Sequence, residues 1–348
     1  MTTRQNNKSF IAENIKKIAD MLLLNGSLLK NSGLFHGRMG VAIFFFHYAQ
    51  YTRNELFEKY AAEIIGQIQA EIHWDSPVDY EDGLAGIGAG IEYLTQNRFL
   101  DIDTNEILND FDKKISHAIV YEPHENFSKD NGLIGLGHYF LSRIINRKSA
   151  IEDAHLVSNR ETIIHVVNLL EQANEYAEQD LPDILSFLCK LFCLDICNDK
   201  IVKCIKKIQD WKNSFTPTIS STECLPEYTL SLIQMAISDC YSKETKKATE
   251  QSIKQVLQII SQSGIIEKET DESYTLLWLL RCKHLIRQAK ICKGLMPQIN
   301  KFINNCLEQY KEIRFEKNKL SLKGCAGVAL AFMTVEEKND DFWLDLFG

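Results

Sequence analysis

Two kinds of helical pattern alternate along the chain. In the first, apolar residues recur on one side only. NELFEKYAAEIIGQIQAEI places Leu56, Tyr60, Ile64 and Ile68 four apart, the stripe of an amphipathic helix. TNEILNDFDKKISHAI and ATEQSIKQVLQIISQSG behave alike. The latter opens near Thr249 and stops at Gly264, a residue suited to a C-terminal cap. In the second kind the run is apolar on most sides, as in GVAIFFFHYA, and such a helix is buried on most sides.

Four runs of the second kind begin with G-x-x-G. They are LFHGRMGVAIFFFHYA (Gly37, Gly40), DGLAGIGAGIEYL (Gly83, Gly86), NGLIGLGHYFLSRI (Gly132, Gly135) and SLKGCAGVALAFM (Gly324, Gly327). The first two intervals between leading glycines are 46 and 49 residues, and the last is 192. That gap has room for three further copies without glycines. PDILSFLCKLFCL from Pro182, PEYTLSLIQMAI from Pro226 and ESYTLLWLLRCKHLI from Glu272 occupy the right places, and the last two share Tyr-Thr-Leu at Tyr228 and Tyr274. Seven repeats are therefore expected over about residues 33–333, after an N-terminal helix at 8–25 and before a tail at 334–348. With no linker rich in proline, glycine or serine, a single domain over 1–348 is expected. Two helices per period, one class more buried, suggest concentric rings. An open solenoid needs polar caps at both ends, whereas here the final repeat is well preserved, which favours closure on the first.

Composition narrows the function classes. The 348 residues carry a net charge of −8, which argues against a broad nucleic-acid surface. The first residues show no signal-peptide pattern, and no apolar run reaches the length that spans a bilayer. Ten cysteines lie between Cys189 and Cys325, as in a reduced, cytoplasmic protein without membrane insertion.

The glycines invite a nucleotide reading, but the residues before Gly83 are polar rather than strand-like, and no Gly-Lys-Ser/Thr occurs. Glycine at a helix start instead offers unusual backbone angles or close approach. Seven helix N-termini on one rim would also sum their partial positive charge and favour an anion there.

Repeated GLxGxxG runs at this spacing resemble the lanthionine synthetase C-like family, over about residues 30–145 and again over 320–333. The resemblance implies an all-α, α/α toroid of about seven inner and seven outer helices. It also implies thioether cyclisation: addition of a peptide cysteine thiol to a dehydroalanine or dehydrobutyrine. In the family, zinc held by two cysteines and a histidine activates the thiol, and a histidine and an aspartate handle protons. This chain departs from that pattern. The fifth repeat's Trp-Cys-Tyr-Gly falls on Glu223-Cys224-Leu225-Pro226, the sixth repeat's Cys-His-Gly on Thr270-Asp271-Glu272, and the fourth repeat's His-Gly on Pro182-Asp183. Asp130 lies one place from the family's acid, and no Cys-His dipeptide occurs. The cavity candidates are His36, Asp130, Cys224 and Asp271; no metal site and no cofactor are expected.

Other features have plainer readings. Cys189, Cys193 and Cys197 share a helical face but would spread over about 12 Å of axis, so core packing is expected. His36 falls on the cavity rim, Arg38 reads as solvated, and His138 as interior. Asp79, Glu81 and Asp82 read as capping residues, and the aromatic tail FWLDLFG as docked on the body. The functional expectation is a zinc-free, degenerate family member that binds a peptide or partner protein in a ribosomal-peptide modification or export pathway. A thioether cyclase with a rearranged site, or a carbohydrate-processing toroid with paired carboxylates, are the alternatives.

Overall fold

Apolar-all-round runs become the inner wall of a ring. The computed structural model describes residues 2–145, 154–214, 224–238, 243–263, 272–309, 319–336 and 341–348, and among these it contains helices and no strand. Helix α1 (Thr2–Asn25) opens the chain, six residues earlier than the sequence pattern suggests. Inner α2 (Arg38–Thr52) is followed by outer α3 (Glu55–Glu71). Inner α4 (Leu84–Gln96) leads through the one-turn α5 (Thr104–Ile107) to outer α6 (Asn109–Tyr121). The pairs α7 (Leu133–Ile144) with α8 (Ala154–Gln172), and α9 (Leu181–Cys193) with α10 (Asn198–Ser214), come next. They are followed by α11 (Leu225–Ile237) with α12 (Lys243–Ser263), then α13 (Glu272–Ala289) with α14 (Met296–Gln309). The last inner helix, α15 (Cys325–Val335), is followed by no outer helix among the described residues and packs against α1. Each inner helix contacts the next, and α15 contacts α2. Among the described residues this is an α/α toroid of seven inner helices and seven outer ones, α1 serving as the seventh outer helix.

Burial follows the two patterns. Every residue from Arg38 to Ala49 in α2 and from Leu84 to Leu94 in α4 is buried. In α3 only Ala61, Ile64 and Ile68 are buried, and Leu56, expected on the stripe, is 68% exposed at the helix start. The three glycine-free repeats form α9, α11 and α13 where the spacing places them, with Pro182 and Pro226 near their starts, positions where a missing N–H costs nothing. The run TNEILNDFDKKISHAI is broken at Leu108, between α5 and α6. Helix α12 begins six residues before Thr249, and Gly264 lies outside the described residues.

The glycines act through close approach rather than unusual angles. The four leading glycines, each at a helix N-cap, all have negative φ. What these glycines and the second glycine of each motif lack is room. A Cβ on Gly86 would lie 2.0 Å from the Tyr80 carbonyl oxygen, and one on Gly135 2.0 Å from that of Lys129. In the glycine-bearing repeats the rim loop is folded down onto the first turn of its own inner helix. The loops are also bonded in sequence round the rim. The N–H groups of Leu34 and Phe35 donate to the Glu81 carbonyl, and those of Tyr80 and Glu81 to the Asp130 carbonyl. Lys323 N–H donates to Phe35 O at 3.1 Å, and the Ser321 hydroxyl to Gly37 O at 2.6 Å. The last repeat is thereby joined to the first.

The cysteine stripe is shorter than its spacing suggests. Helix α9 ends at Cys193, and Cys197 follows a turn with φ of 55°. Cys189 is buried, Cys193 exposed, and none of the nine described cysteines is in a disulfide.

Candidate functional site

The loops before α7 and α15, the N-terminal parts of α9, α11 and α13, and Phe347 line a cavity of about 240 Å³. Its charged wall comes from six residues on five repeats: Lys129, Asp130, Asp183, Glu227, Arg281 and Lys323. Asp183 and Glu227 stand in the first turns of α9 and α11, where the helix dipole favours negative charge. The anions expected at this rim are thus the chain's own carboxylates.

Each carboxylate has a specific partner. Asp183 accepts the Lys129 N–H at 2.8 Å. Glu227 faces Arg281 at 3.2 Å and accepts the Tyr274 hydroxyl at 2.8 Å. Asp130 is 2.7 Å from the Lys323 ammonium, which lies 2.9 Å from Glu81. Glu81 in turn is 2.9 Å from His36 Nε2. His36 and Asp130, two of the candidates, are therefore joined through Glu81 and Lys323. The bond from His36 is the main reason the Glu81 carboxyl is held down to about 2, and the same bond raises the His36 pKa. Burial lowers the Lys323 pKa, but Asp130 and Glu81 outweigh it and the net shift is upward. Burial also lifts the Asp183 carboxyl and lowers the Lys129 ammonium, each toward its neutral form.

Residues 341–348 close the middle of this face. Their 3₁₀ turn, Phe342–Phe347, buries Trp343, Leu344, Leu346 and Phe347. The Phe347 ring stacks on Phe35 with centroids 5.2 Å apart. Lys129 donates to the Phe347 carbonyl, which also accepts from Arg281 at 3.2 Å. His284 lies 3.1 Å from Asp341 and 3.3 Å from Asp345. The expected docking of the tail is what the structure has.

The other candidates fare differently. Cys224 is the N-cap residue of α11, half-buried, and is not among the cavity-lining residues. Asp271 lies outside the described residues. Arg38, expected in solvent, is instead buried and paired with Glu71 and Ser32. His138 is interior, between the rings of Tyr80 and Phe187, and burial keeps it well below its ordinary pKa. Asp79 is the local cap expected of it, accepting from Asp82 N–H and Gly83 N–H; Glu81 has a longer reach than capping. Sequence reasoning missed Lys129, Glu227, Arg281 and Lys323, and took Asp183 only as a register mark. One signal was available. Lys323 precedes Gly324 as His36 precedes Gly37, so the residue ahead of a leading glycine marks the rim.

The donor set bears on the family's zinc. A tetrahedral thiolate–imidazole site needs cysteine and histidine converging on one point. The lining of the cavity holds neither, its three carboxylates are engaged by cations and N–H groups, and no group of three potential ligands occurs among the described residues. These residues do not fit that metal. They offer instead fixed hydrogen-bond donors and acceptors at a half-enclosed surface, which suits the main chain of a peptide.

No curated protein sequence matches this chain. Its structure is similar to that of "Nisin cyclase", with a TM-score of 0.71 at 15% identity over 97% of this chain and 98% of that one. The family profile described as "Lanthionine synthetase C-like protein" matches residues 2–184, just over half of the chain. This chain belongs to the lanthionine synthetase C-like family.

Proposed function

We propose that this protein binds a peptide, or a peptide-like segment of a partner protein, in the central cavity without a thiolate–zinc centre, and that it serves a ribosomal-peptide modification or export pathway. One observation carries the reading. The first turns of α9 and α11 present Asp183 and Glu227 to the cavity, each held by a partner from another repeat. Such pairs arrange polar atoms for recognition. They supply no soft ligand to lower a thiol's pKa.

The test uses the full chain and a synthetic peptide bearing one cysteine and one dehydroalanine. Binding is read by fluorescence anisotropy. Ring closure is read by mass spectrometry after thiol capping, since a cysteine consumed in a thioether takes up no cap. Saturable binding with every thiol still capped is the expected result. Thioether formation above the protein-free rate would replace this reading with a cyclase of rearranged site.

A further inference from the structure

Residues 341–348 are held in a way that any peptide main chain could share. Tyr80 donates its hydroxyl to Leu346 O at 3.2 Å. Arg281 donates to the next carbonyl, Phe347 O, at 3.2 Å, and Lys129 donates to the same oxygen. Three side chains from the second, third and sixth repeats thus converge on two consecutive carbonyls. Tyr80 and Lys129 are buried while doing so. Hydrogen bonds to carbonyl oxygens carry no side-chain identity. Identity comes from the Phe347 slot, where Phe35 stacks on the ring and the ammonium groups of Lys129 and Lys323 stand 5.1 and 4.7 Å from the Phe35 centroid. An aliphatic position beside it holds Leu346, which is 6% exposed. Phe347 is also part of the cavity wall, so the seat of this segment opens directly into the cavity.

We propose that this seat is a peptide-recognition subsite for an aliphatic residue followed by an aromatic one, and that residues 341–348 are its resident ligand. An incoming peptide of the same chemistry takes the seat by displacing the segment, which leaves Lys129, Arg281 and Tyr80 to capture the newcomer's carbonyls. The proposal deepens the peptide-binding reading above and rests on it. A tethered ligand competes at an effective concentration on the order of millimolar, so an untethered peptide binds the intact protein weakly until the resident segment is loosened.

The probe is a fluorescein-labelled peptide with the sequence of residues 341–348, DFWLDLFG, followed by anisotropy against three full-length proteins: the parent, Phe347→Ala, and the double variant Leu346→Ala/Phe347→Ala. The double variant is expected to bind the probe at least about ten-fold more tightly than the parent. A probe carrying alanine in place of the phenylalanine that corresponds to Phe347 is expected to lose that binding. Equal affinity for parent and variants overturns the proposal. Failure of both variants to fold, judged by circular dichroism, also overturns it, because the segment is then core and not ligand. If the double variant binds this probe but not the cysteine–dehydroalanine peptide, the subsite stands and the broader functional reading falls. The converse result has the converse meaning.

Discussion

The main-chain N–H of Lys129 donates to the carboxylate of Asp183, across the rim from the third repeat to the fourth, at 2.8 Å. In the two preceding repeats the same kind of link ends on a backbone carbonyl, that of Glu81 and then that of Asp130. The fourth repeat, without its glycines, continues the chain of bonds through side chains, since Phe127 N–H likewise donates to the Asp180 carboxylate at 3.2 Å. Asp183 thus has a structural duty besides lining the cavity. Asp183→Ala leaves the Lys129 N–H without its acceptor and is expected to cost about 1–3 kcal/mol. Asp183→Asn keeps an acceptor oxygen and is expected to cost less. Urea unfolding of the two variants beside the parent checks the order.

The tail is fastened by a histidine whose charge depends on its neighbours. Burial favours the neutral form of His284, but hydrogen bonds and charge from Asp341 and Asp345 outweigh it, and its pKa is pushed up to about 9. Arg287, 3.8 Å from Asp341, and the Gln288 amide, 2.7 Å from His284 Nε2, are further polar groups around it among the described residues, and Lys190 lies within electrostatic reach of Asp345. Unfolded histidine titrates near about 6.5. A pKa raised on folding contributes stability that is complete below that value and is lost as pH rises through about 9. Thermal midpoints measured between pH 6 and 10 are expected to fall between about pH 6.5 and 9 and to level off above that. The fall is expected to be shallower in His284→Gln.

Two glycines in similar helical settings are expected to respond in opposite directions to alanine. Gly66 lies on the exposed face of α3, and a Cβ there would meet nothing within 4 Å. Gly66→Ala is expected to stabilise by about 0.4–1 kcal/mol through the unfolded chain and helix propensity. Gly135→Ala places a methyl 2.0 Å from the Lys129 carbonyl and 2.7 Å from Tyr80 Cβ, which forces the rim loop away. A loss of about 1–3 kcal/mol is expected. Denaturant midpoints decide both signs.

Under the rim, Arg143 is fully buried between two carboxylates, 2.8 Å from Glu92 and 2.9 Å from Asp112. It ties α7 to α4 and α6. Arg143→Met leaves two buried carboxylates without their cation and is expected to cost about 3–5 kcal/mol. Urea unfolding of parent and variant measures that loss.

The ring was legible because its signals are local. A G-x-x-G marks where a loop presses on a helix start, as the 2.0 Å approaches at Gly86 and Gly135 show, and the interval between marks counts the repeats. Even glycine-free α9, α11 and α13 followed from that interval. The cavity was not legible in the same way. Lys129, Asp183, Glu227, Arg281 and Lys323 are spread over nearly two hundred residues, and each reads alone as an ordinary surface charge. Only ring closure brings them together. Arg38 was misread for a related reason: its partner Glu71 is 33 residues away, at the end of the outer helix.

The central claim of the proposed function is that this toroid works with a cavity lined by carboxylates paired to cations and N–H groups, and without a thiolate-bound zinc. Zinc content of the full chain, purified in metal-controlled buffer and then offered one equivalent of zinc before gel filtration, tests it most directly. The account predicts zinc well below one per chain, with no difference between the parent and Cys224→Ala. One zinc retained per chain, and lost in Cys224→Ala, would contradict it.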